Sequence, residues 1–302
     1  MTQAQQSQWD GRDQGGLLKL RLASLCLRLI GGSGSRLLSY PLALVGLFGS
    51  ARGRLEVGRY LKRLRPELSG DERLGLIWRQ FASFGRILGD RGLVYMRGGR
   101  LHCRHRGGEH LRAALGGERG CILLSAHVGN WELAGRLLGR IGSGKRVHLV
   151  NVENEDPRER AYIEAHMRDA RPAIIDPRDA MAAALQINAA LGNGDVVCML
   201  GDRHVPGQET VRVPFLGKPA QFPIGPFHVA AVTGAPLLFC FLMKAGDVYE
   251  LHVSEPLLVR RPRGRRERQA AIIDAARTWA AALESTVRRY PLQWHNYYDF
   301  WR

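Results

Sequence analysis

Short apolar runs alternate with longer stretches of helical periodicity from residue 121 onward. Apolar runs of six to eight residues predict six strands: 121–126, 146–151, 195–200, 210–215, 236–243 and 248–253. Apolar positions three and four apart predict five helices: 130–140, 157–170, 178–191, 224–233 and 267–289. Strands that are apolar almost throughout are typical of a sheet that helices cover on both faces. We therefore predict an α/β fold, a single mixed β-sheet flanked by helices.

The residues before position 66 follow a different pattern. Two apolar segments, 17–30 and 37–49, are flanked by basic side chains, and three cations interrupt the first. The second is uncharged, but as a helix its 13 residues would reach only about 20 Å, short of the roughly 30 Å hydrocarbon core of a bilayer. We predict an N-terminal membrane-associating helical segment over residues 1–65, lying in the interface, and the α/β domain over 66–302. A transmembrane anchor and a soluble helical hairpin packed on the domain are the alternatives.

A capping box marks the start of the α/β domain. Ser69 and Glu72 stand three residues apart, the spacing at which a hydroxyl and a carboxylate cap a helix reciprocally. Apolar residues follow at helical spacing: Leu74, Ile77, Trp78, Phe81 and Leu88. The sequence predicts a long helix here.

The chain is strongly basic, with 44 Lys and Arg against 28 Asp and Glu, a formal net charge of +16. Nucleic acid, an anionic membrane, an acidic protein or a phosphorylated substrate could each explain the excess, as could a merely solvated basic surface. Residues 12–65 hold eleven basic side chains and two acids. These flank aliphatic segments rather than the aromatics that nucleic-acid binders use. The pattern favours an anionic membrane surface as partner and no nucleic acid.

The cysteines and the first residues bear on the compartment. The five cysteines are scattered and include no C-x-x-C pair, so they predict neither a zinc site nor a disulfide framework. Residues 1–16 are polar and lack the basic start of a signal peptide. We expect a reducing compartment.

A histidine stands where the first buried strand ends, and a carboxylate follows five residues later. His127 is the type of side chain that takes and returns a proton near neutral pH, and Glu132 could fix its tautomer. On one continuous helix the two would lie about 140° apart, so the pairing requires a turn between them. Gly129 permits such a turn, and Asn130 is a good N-cap for a helix that starts at Trp131. The motif predicts a catalytic His127–Glu132 dyad; a structural histidine at a strand end is the alternative.

A second polar group follows the predicted strand 195–200. Asp202, Arg203 and His204 come directly after it. In open α/β sheets, ligands bind outside the carboxyl ends of the strands, so this group would lie beside His127 if both strands belong to one sheet. A structural Asp–Arg ion pair is the alternative.

Together these stretches resemble the acyltransferase family that includes the bacterial late acyltransferases of lipid A and the mycobacterial phosphatidylinositol mannoside acyltransferases. The motifs that carry the resemblance stand in the family's order: His127–Glu132, Asp202–Arg203, Val213–Gly217 and Thr233–Pro236. The resemblance covers roughly residues 50 to 302. A Trp and a His within 290–301 also stand where the family has them near its end.

The resemblance implies that a fatty acyl group moves from a thioester of acyl carrier protein or coenzyme A to a hydroxyl or amine of a membrane lipid or glycolipid. His127 would take the proton of that nucleophile and Glu132 would orient His127. The expected substrate-binding residues are Asn130, Asp202, Arg203 and Gly225. The thioester oxyanion would be met by Arg203 or by N–H groups near Gly129 or Gly201.

The same resemblance implies no cofactor and no metal, and a location at the cytoplasmic face of the inner membrane. An acidic acyl carrier protein would be steered by the basic surface. An apolar tunnel would hold the acyl chain. Four phenylalanines could line this tunnel or simply belong to the core: Phe81, Phe215, Phe222 and Phe227.

Two other functions fit parts of the sequence. A metal-dependent hydrolase could use His127, Glu132, Asp202 and His204 as ligands, although no closely spaced histidine pair is present. A non-enzymatic protein that binds anionic membranes needs only the charge. Metal analysis tests the first, and liposome binding that survives His127→Ala without any acyl transfer would favour the second.

Overall fold

A seven-stranded, mostly parallel sheet forms the centre of the molecule. The computed structural model describes residue 25 and residues 39–41, 43–97, 102–138, 144–151, 173–204, 207–260 and 264–302. The strands of the sheet, numbered along the chain, lie in the order β1 (Cys103–Arg106), β9 (Val248–Val253), β8 (Leu237–Ala245), β2 (Cys121–Ser125), β5 (Val196–Leu200), β3 (Val147–Val150) and β4 (Ala173–Ile175). Among these described strands only the β8–β9 pair is antiparallel. Strands β6 (Thr210–Phe215) and β7 (Lys218–Pro223) form a separate hairpin. The predicted α/β fold with a mixed sheet flanked by helices is confirmed.

The helices are α1 (Ala51–Leu64), α2 (Gly70–Arg97), α3 (Gly108–Leu115), α4 (Trp131–Leu138), α5 (Ala180–Gly192), α6 (Gly225–Thr233) and α7 (Arg265–Arg289).

All six predicted strands are present, and the described residues contain three further strands that the apolar pattern did not predict. The missed β1 has the polar sequence Cys-Arg-His-Arg and lies at the sheet edge with most of its side chains exposed. The missed β4 has only three residues, and β7 contains two prolines. The strands β1 and β7 lack the apolar run by which a buried strand is recognised, and the apolar run of β4 is too short to predict one. The predicted helix 157–170 lies outside the described residues.

Strands β2 and β5 are parallel neighbours at the centre of the sheet. Their register runs from Cys121 opposite Val196 to Ser125 opposite Leu200. The first four residues of β2 are almost fully buried, which explains the unbroken apolar run. Because the strands end level with each other, the residues that follow them meet at one edge of the sheet.

The two faces of the sheet carry different layers. On one face a large core joins α5, α6 and α7 with the β6–β7 hairpin and the helices that precede β1. On the other face a smaller core forms under α3 and α4, and the end of α2 reaches it through Val94. The sheet is therefore covered on both sides, as its apolar strands predicted.

Helices α1 and α2 form an antiparallel pair that leads into the sheet. The predicted capping box is confirmed, since Glu72 accepts from the Ser69 backbone and the Ser69 hydroxyl accepts from the Glu72 backbone. One face of α1 is buried in the large core through Val57, Tyr60 and Leu61. Within the part of the chain that the structure describes, no helix combines the length and the apolar character needed to cross a bilayer.

Candidate active site

The residues after β2 and β5 meet at the carboxyl edge of the sheet, as expected. The Nδ1 atom of His127 lies 2.9 Å from Oδ1 of Asp202. The backbone N–H of His127 also donates to Oδ2 of the same carboxylate at 3.1 Å. Asp202 is 1% exposed, and the His127 side chain is 16% exposed. The carboxylate is thus enclosed within the protein, whereas the mostly buried imidazole keeps a small exposed fraction.

The surroundings of Asp202 keep it ionised. Burial alone would raise its pKa, but the charge and hydrogen bond of His127, the charge of Arg203 and a hydrogen bond from Trp294 outweigh burial and lower the pKa to about 2. The Trp294 indole N–H donates to Oδ2 at 3.1 Å. An ionised carboxylate only accepts hydrogen bonds, so the proton of His127 stays on Nδ1.

His127 is held in its neutral form. Burial is the largest cause of its lowered pKa, and the positive charge of Arg203 acts in the same direction. The charge and hydrogen bond of Asp202 oppose both. With Nδ1 bonded to Asp202, Nε2 is the atom that can accept a proton, which is the state a general base requires.

Glu132 does not occupy the position that the sequence suggested. It lies in the first turn of α4, as predicted, but it forms an ion pair with Arg91 of α2. The carboxylate that orients His127 in the structure is Asp202. The prediction that Glu132 fixes the His127 ring is therefore corrected, because the turn between the two residues directs α4 toward α2.

The turn after His127 requires glycine at position 129. Gly129 has a φ of +55°, and a Cβ there would lie 2.1 Å from the carbonyl oxygen of Leu242 in β8. The neighbouring Asn130 N–H donates to that oxygen at 2.8 Å. The backbone of the turn therefore lies in direct contact with β8.

Asn130 anchors α2 to this turn. It is 2% exposed, and its amide donates to the carbonyl of Ile87 and to the hydroxyl of Tyr249. Tyr249 in turn donates to Asp90 of α2, which also binds Lys244. As predicted, Asn130 directly precedes helix α4, and its carbonyl accepts a hydrogen bond from the backbone N–H of Ala134. Its predicted contact with substrate stays a prediction.

Of the other predicted substrate-binding residues, Arg203 lies directly beside Asp202, whereas Gly225 lies on a different element. Arg203 donates to the carbonyl of His295 at 2.6 Å and lies over the ring of Tyr298. Gly225 is the first residue of α6, and His204 is partly buried beyond Arg203. The structure brings Asp202 and Arg203 to His127, and the contacts of Gly225 with substrate stay a prediction.

Residues 293–298 belong to the site, and motif spacing alone did not reveal them. Val128 and Trp294 form an antiparallel bridge, and the His295 N–H donates to the carbonyl of His127 at 2.8 Å. The Tyr298 hydroxyl donates to the carbonyl of Asp202 at 3.0 Å. This C-terminal segment therefore contacts both motif loops. The only sequence signal was the resemblance, which placed a Trp and a His near this position.

An apolar pocket opens beside the Trp131 ring, whose centre is 5.7 Å from that of His127. Its lining comes from the ends of β2, β3 and β5 with contributions from α4 and β8: Leu123, Ser125, Trp131, Ala134, Leu149, Val150, Asn151, Cys198, Met199, Leu200 and Cys240. The four phenylalanines considered as tunnel residues all belong to the large core instead.

The described residues contain no group of three or more His, Cys, Asp or Glu side chains placed to hold a metal ion. The four side chains that a metal-dependent hydrolase would use as ligands do not come together as one group in the structure. His127 bonds Asp202, and Glu132 pairs with Arg91.

Comparison with known proteins finds mycobacterial relatives. A phosphatidylinositol mannoside acyltransferase of Mycobacterium tuberculosis is 33% identical over 132 residues, 43% of this chain and 40% of that protein. One from Mycolicibacterium smegmatis is 24% identical over 196 residues, 64% of this chain and 60% of that protein. The matches thus span less than two thirds of either relative.

Among solved structures, the 1-acyl-sn-glycerophosphate acyltransferase PlsC from Thermotoga maritima aligns over 83% of this chain and 95% of its own, with 16% identity and a TM-score of 0.36. Residues 27–302, which include both motif loops and the C-terminal segment, match the bacterial lipid A biosynthesis acyltransferase family. The resemblance seen in the motifs is confirmed, and the chain belongs to that family of acyltransferases.

Proposed function

We propose that this acyltransferase moves a fatty acyl group from a thioester donor, acyl carrier protein or coenzyme A, to a hydroxyl or amine of a membrane lipid. A sugar hydroxyl of a glycolipid is the first acceptor to test, because the family acts in lipid A biosynthesis and the relatives are named for a mannoside. The observation that carries the proposal is the buried bond between His127 Nδ1 and Asp202 at the edge where ligands bind.

The proposed reaction uses His127 as general base. Its Nε2 takes the proton of the acceptor hydroxyl while the oxygen attacks the thioester carbonyl. Collapse of the tetrahedral intermediate forms the new ester and breaks the C–S bond, and His127 returns the proton to the leaving thiolate. Asp202 stays ionised throughout and stabilises the imidazolium that forms between the two steps.

Arg203 is the best candidate for stabilising the oxyanion. The N–H of Gly129 donates to the carbonyl of Gln293, and the N–H of Gly201 donates to that of Ser125, both at 2.8 Å. These two donors are thus engaged within the protein. The guanidinium charge, in contrast, already acts on His127 and Asp202. We expect Arg203 to meet the negative charge of the tetrahedral intermediate.

The apolar pocket beside Trp131 is the proposed site of the acyl chain. Its lining is mainly aliphatic and aromatic, and Trp131 separates it from His127 by one ring. Ala134→Leu would fill part of the pocket and should shift the donor preference toward shorter chains. Ala114→Leu is the matched control, because Ala114 packs on the same small core but does not line the pocket. Equal chain-length profiles for the two variants would contradict this assignment.

A membrane-facing surface is proposed at the N-terminal side. The helical residues 43–49 expose Val45 and Phe48 at 72% and 76%, and α1 has exposed cations nearby in sequence, among them Arg52 and Lys62. Exposed large apolar side chains next to basic residues favour binding to an anionic lipid surface. Since both proposed thioester donors are cytoplasmic, the proposed location is the cytoplasmic face of the inner membrane.

Co-sedimentation with vesicles containing an anionic lipid tests this surface. Val45→Asp with Phe48→Asp should lower the bound fraction strongly. Met181→Asp with Leu185→Asp is the matched control, since these two side chains are similarly exposed on α5. If both double variants pellet as the unaltered protein does, the membrane contact lies elsewhere.

The test of the function is direct. Purified protein is incubated with acyl carrier protein or coenzyme A thioesters and with fractionated membrane lipids, and new acylated lipids are detected by mass spectrometry. We expect product with the unaltered chain and with His148→Ala, and none with His127→Ala. Absence of transfer from every donor to every lipid class, or transfer that survives His127→Ala, would overturn the proposal.

A further inference from the structure

We propose that Trp294 is a positioning residue of the acyl transfer, whose indole N–H fixes the Asp202 carboxylate in the orientation that His127 needs. The inference rests on the proposed function. It concerns a residue 92 positions away from Asp202 along the chain, outside both motif loops.

The two oxygens of the Asp202 carboxylate have different hydrogen-bond partners. Oδ1 faces the His127 ring, and Oδ2 accepts the Trp294 N–H and the His127 backbone N–H, each at 3.1 Å. Because both donors to Oδ2 are fixed, the carboxylate plane cannot rotate and Oδ1 stays in line with Nδ1. A fixed second partner of this kind is what keeps a catalytic imidazole in one tautomer and one orientation.

The indole ring is itself held firmly. Trp294 is fully buried, and Tyr60 of α1 meets it edge-on with ring centres 5.0 Å apart. Phe215 of the hairpin and Phe300 lie at 5.3 Å and 4.9 Å. The amide of Gln80 in α2 donates to the Trp294 carbonyl at 2.7 Å. An N–H that is oriented by so many contacts loses little entropy when it bonds Asp202.

Backbone bonds on either side of Trp294 fix its distance from the motif loops. The carbonyl of Gln293 accepts from the N–H of Gly129, and the N–H of His295 donates to the carbonyl of His127. Arg203 closes the arrangement by donating to the carbonyl of His295. The side chain of Trp294 is therefore placed from both motif loops at once, which a role in packing alone would not require.

The charges that face His127 determine what removal of this N–H should do. Asp202 raises the pKa of His127, whereas Arg203 lowers it. His295 also lies close, but burial lowers its pKa to about 3, so it is neutral near pH 7. Arg91 is paired with Glu132. Without the indole N–H, Asp202 becomes more basic and holds the Nδ1 proton more strongly, so the pKa of His127 rises.

The test replaces the N–H while keeping an aromatic ring. Trp294→Phe should lower kcat/KM by roughly 10-fold and shift the acid limb of its pH profile to higher pH. Trp301→Phe is the matched control. It removes another indole N–H of the same aromatic cluster, one that donates to the carbonyl of Phe215. We expect the control to leave both the rate and the pH profile unchanged.

A second readout does not depend on turnover. The pKa of His127 is followed by NMR of protein labelled at histidine, with its signal identified by its loss in His127→Ala. We expect Trp294→Phe to raise this pKa and Trp301→Phe to leave it unchanged. If the unaltered chain transfers no acyl group, the proposed function fails, while this titration still decides the role of Trp294.

A second variant keeps the proposal testable in case Trp294→Phe does not fold. If Trp294→Phe does not fold, 3-benzothienylalanine incorporated at position 294 keeps the shape of the indole and replaces only the N–H by sulfur. A folded variant of either kind with the rate, pH profile and His127 pKa of the unaltered protein overturns the proposal. So does a change no larger than that in Trp301→Phe.

Discussion

Two His–Asp pairs lie at opposite edges of the same sheet, and both involve residues of β5 or directly beside it. At the carboxyl edge, His127 uses Nδ1 to bond Asp202. At the amino edge, His148 uses Nε2 to bond Asp195 at 3.1 Å, and Asp195 also accepts the backbone N–H of Arg146. The hydrogen-bond distances alone do not distinguish the two pairs.

The surroundings distinguish the two pairs. His127 is not part of a strand: it lies on a glycine-supported turn beyond the end of β2, beside an apolar pocket. His148 lies within β3, paired with Val197, where its ring joins two strands. Asp202 also receives a side-chain donor from far along the chain, whereas the Arg146 N–H at Asp195 belongs to the adjoining strand start. The position of His127 at the carboxyl edge, where sheets of this kind bind ligands, is what supports the proposed catalytic role, rather than the His–Asp bond itself.

The sharpest contrast is expected from removing each histidine. His127→Ala should lower the rate of acyl transfer by about 10²- to 10⁴-fold, since it removes the proposed general base. His148→Ala should leave the rate near that of the unaltered protein. Turnover with a fixed thioester donor measures both, and thermal unfolding checks that both variants fold. A folded His127→Ala protein with near-normal turnover would exclude His127 as the general base.

The two carboxylates should differ in the same sense. Asp202→Asn keeps the shape of the side chain but loses the charge that stabilises the imidazolium, and we expect the rate to fall by about 100-fold. Asp195→Asn should cost stability only. Steady-state rates of the two variants, measured at the same pH, decide it. Equal rates would mean that another carboxylate orients His127.

Replacing Glu132 should change the rate of acyl transfer less than replacing Asp202. Its partner is Arg91, and both side chains are partly exposed, so Glu132→Gln should change the rate by no more than about fivefold. The variant is compared with Asp202→Asn in one assay. A loss as large as that of Asp202→Asn, in a folded protein, would restore Glu132 as the residue that orients His127.

A different effect, on stability rather than on the rate, is expected at the carboxyl edge of the sheet. Burial lowers the pKa of His295 to about 3, and neither ring nitrogen has a hydrogen-bond partner among the described residues. In the unfolded chain His295 takes up a proton below about pH 6.5, whereas in the folded chain it does so only near pH 3. The free energy of unfolding therefore falls as the pH falls through this window. His295→Leu should reduce that fall by up to about 1.4 kcal/mol per pH unit.

Urea unfolding at two pH values, one above and one below 6.5, measures this difference. His105→Leu is the matched control, because His105 is exposed on β1. If His295→Leu and His105→Leu lose the same stability between the two pH values, burial of His295 does not contribute to acid sensitivity.

The sequence predicted the central part of the molecule well for a physical reason. Strand β2 is buried almost throughout and β5 is buried in its first half and partly buried beyond, so their apolar runs are unbroken, and the carboxyl ends of parallel neighbours must meet. This argument alone brought Asp202 to His127. The turn was also predictable, since Gly129 and Asn130 have the local preferences that a strand-to-helix turn requires.

The sequence did not predict which carboxylate bonds the histidine. Glu132 was favoured because it is near in sequence, but its direction depends on how α4 packs against Arg91 of α2, which no local pattern encodes. Trp294 was missed for a related reason. Its bridge with Val128 joins two irregular segments, and a single bridge has neither periodicity nor a turn signal.

The contact between Trp294 and Asp202 has a consequence for the biosynthesis of the protein. The indole is added 92 residues after the carboxylate that it bonds. At about 5–20 residues per second, synthesis of that interval takes roughly 5 to 20 s. Within this interval β2 and β5 leave the ribosome and can pair, while the carboxylate still lacks its second fixed partner. Nascent chains should therefore have a paired central sheet several seconds before they acquire full activity.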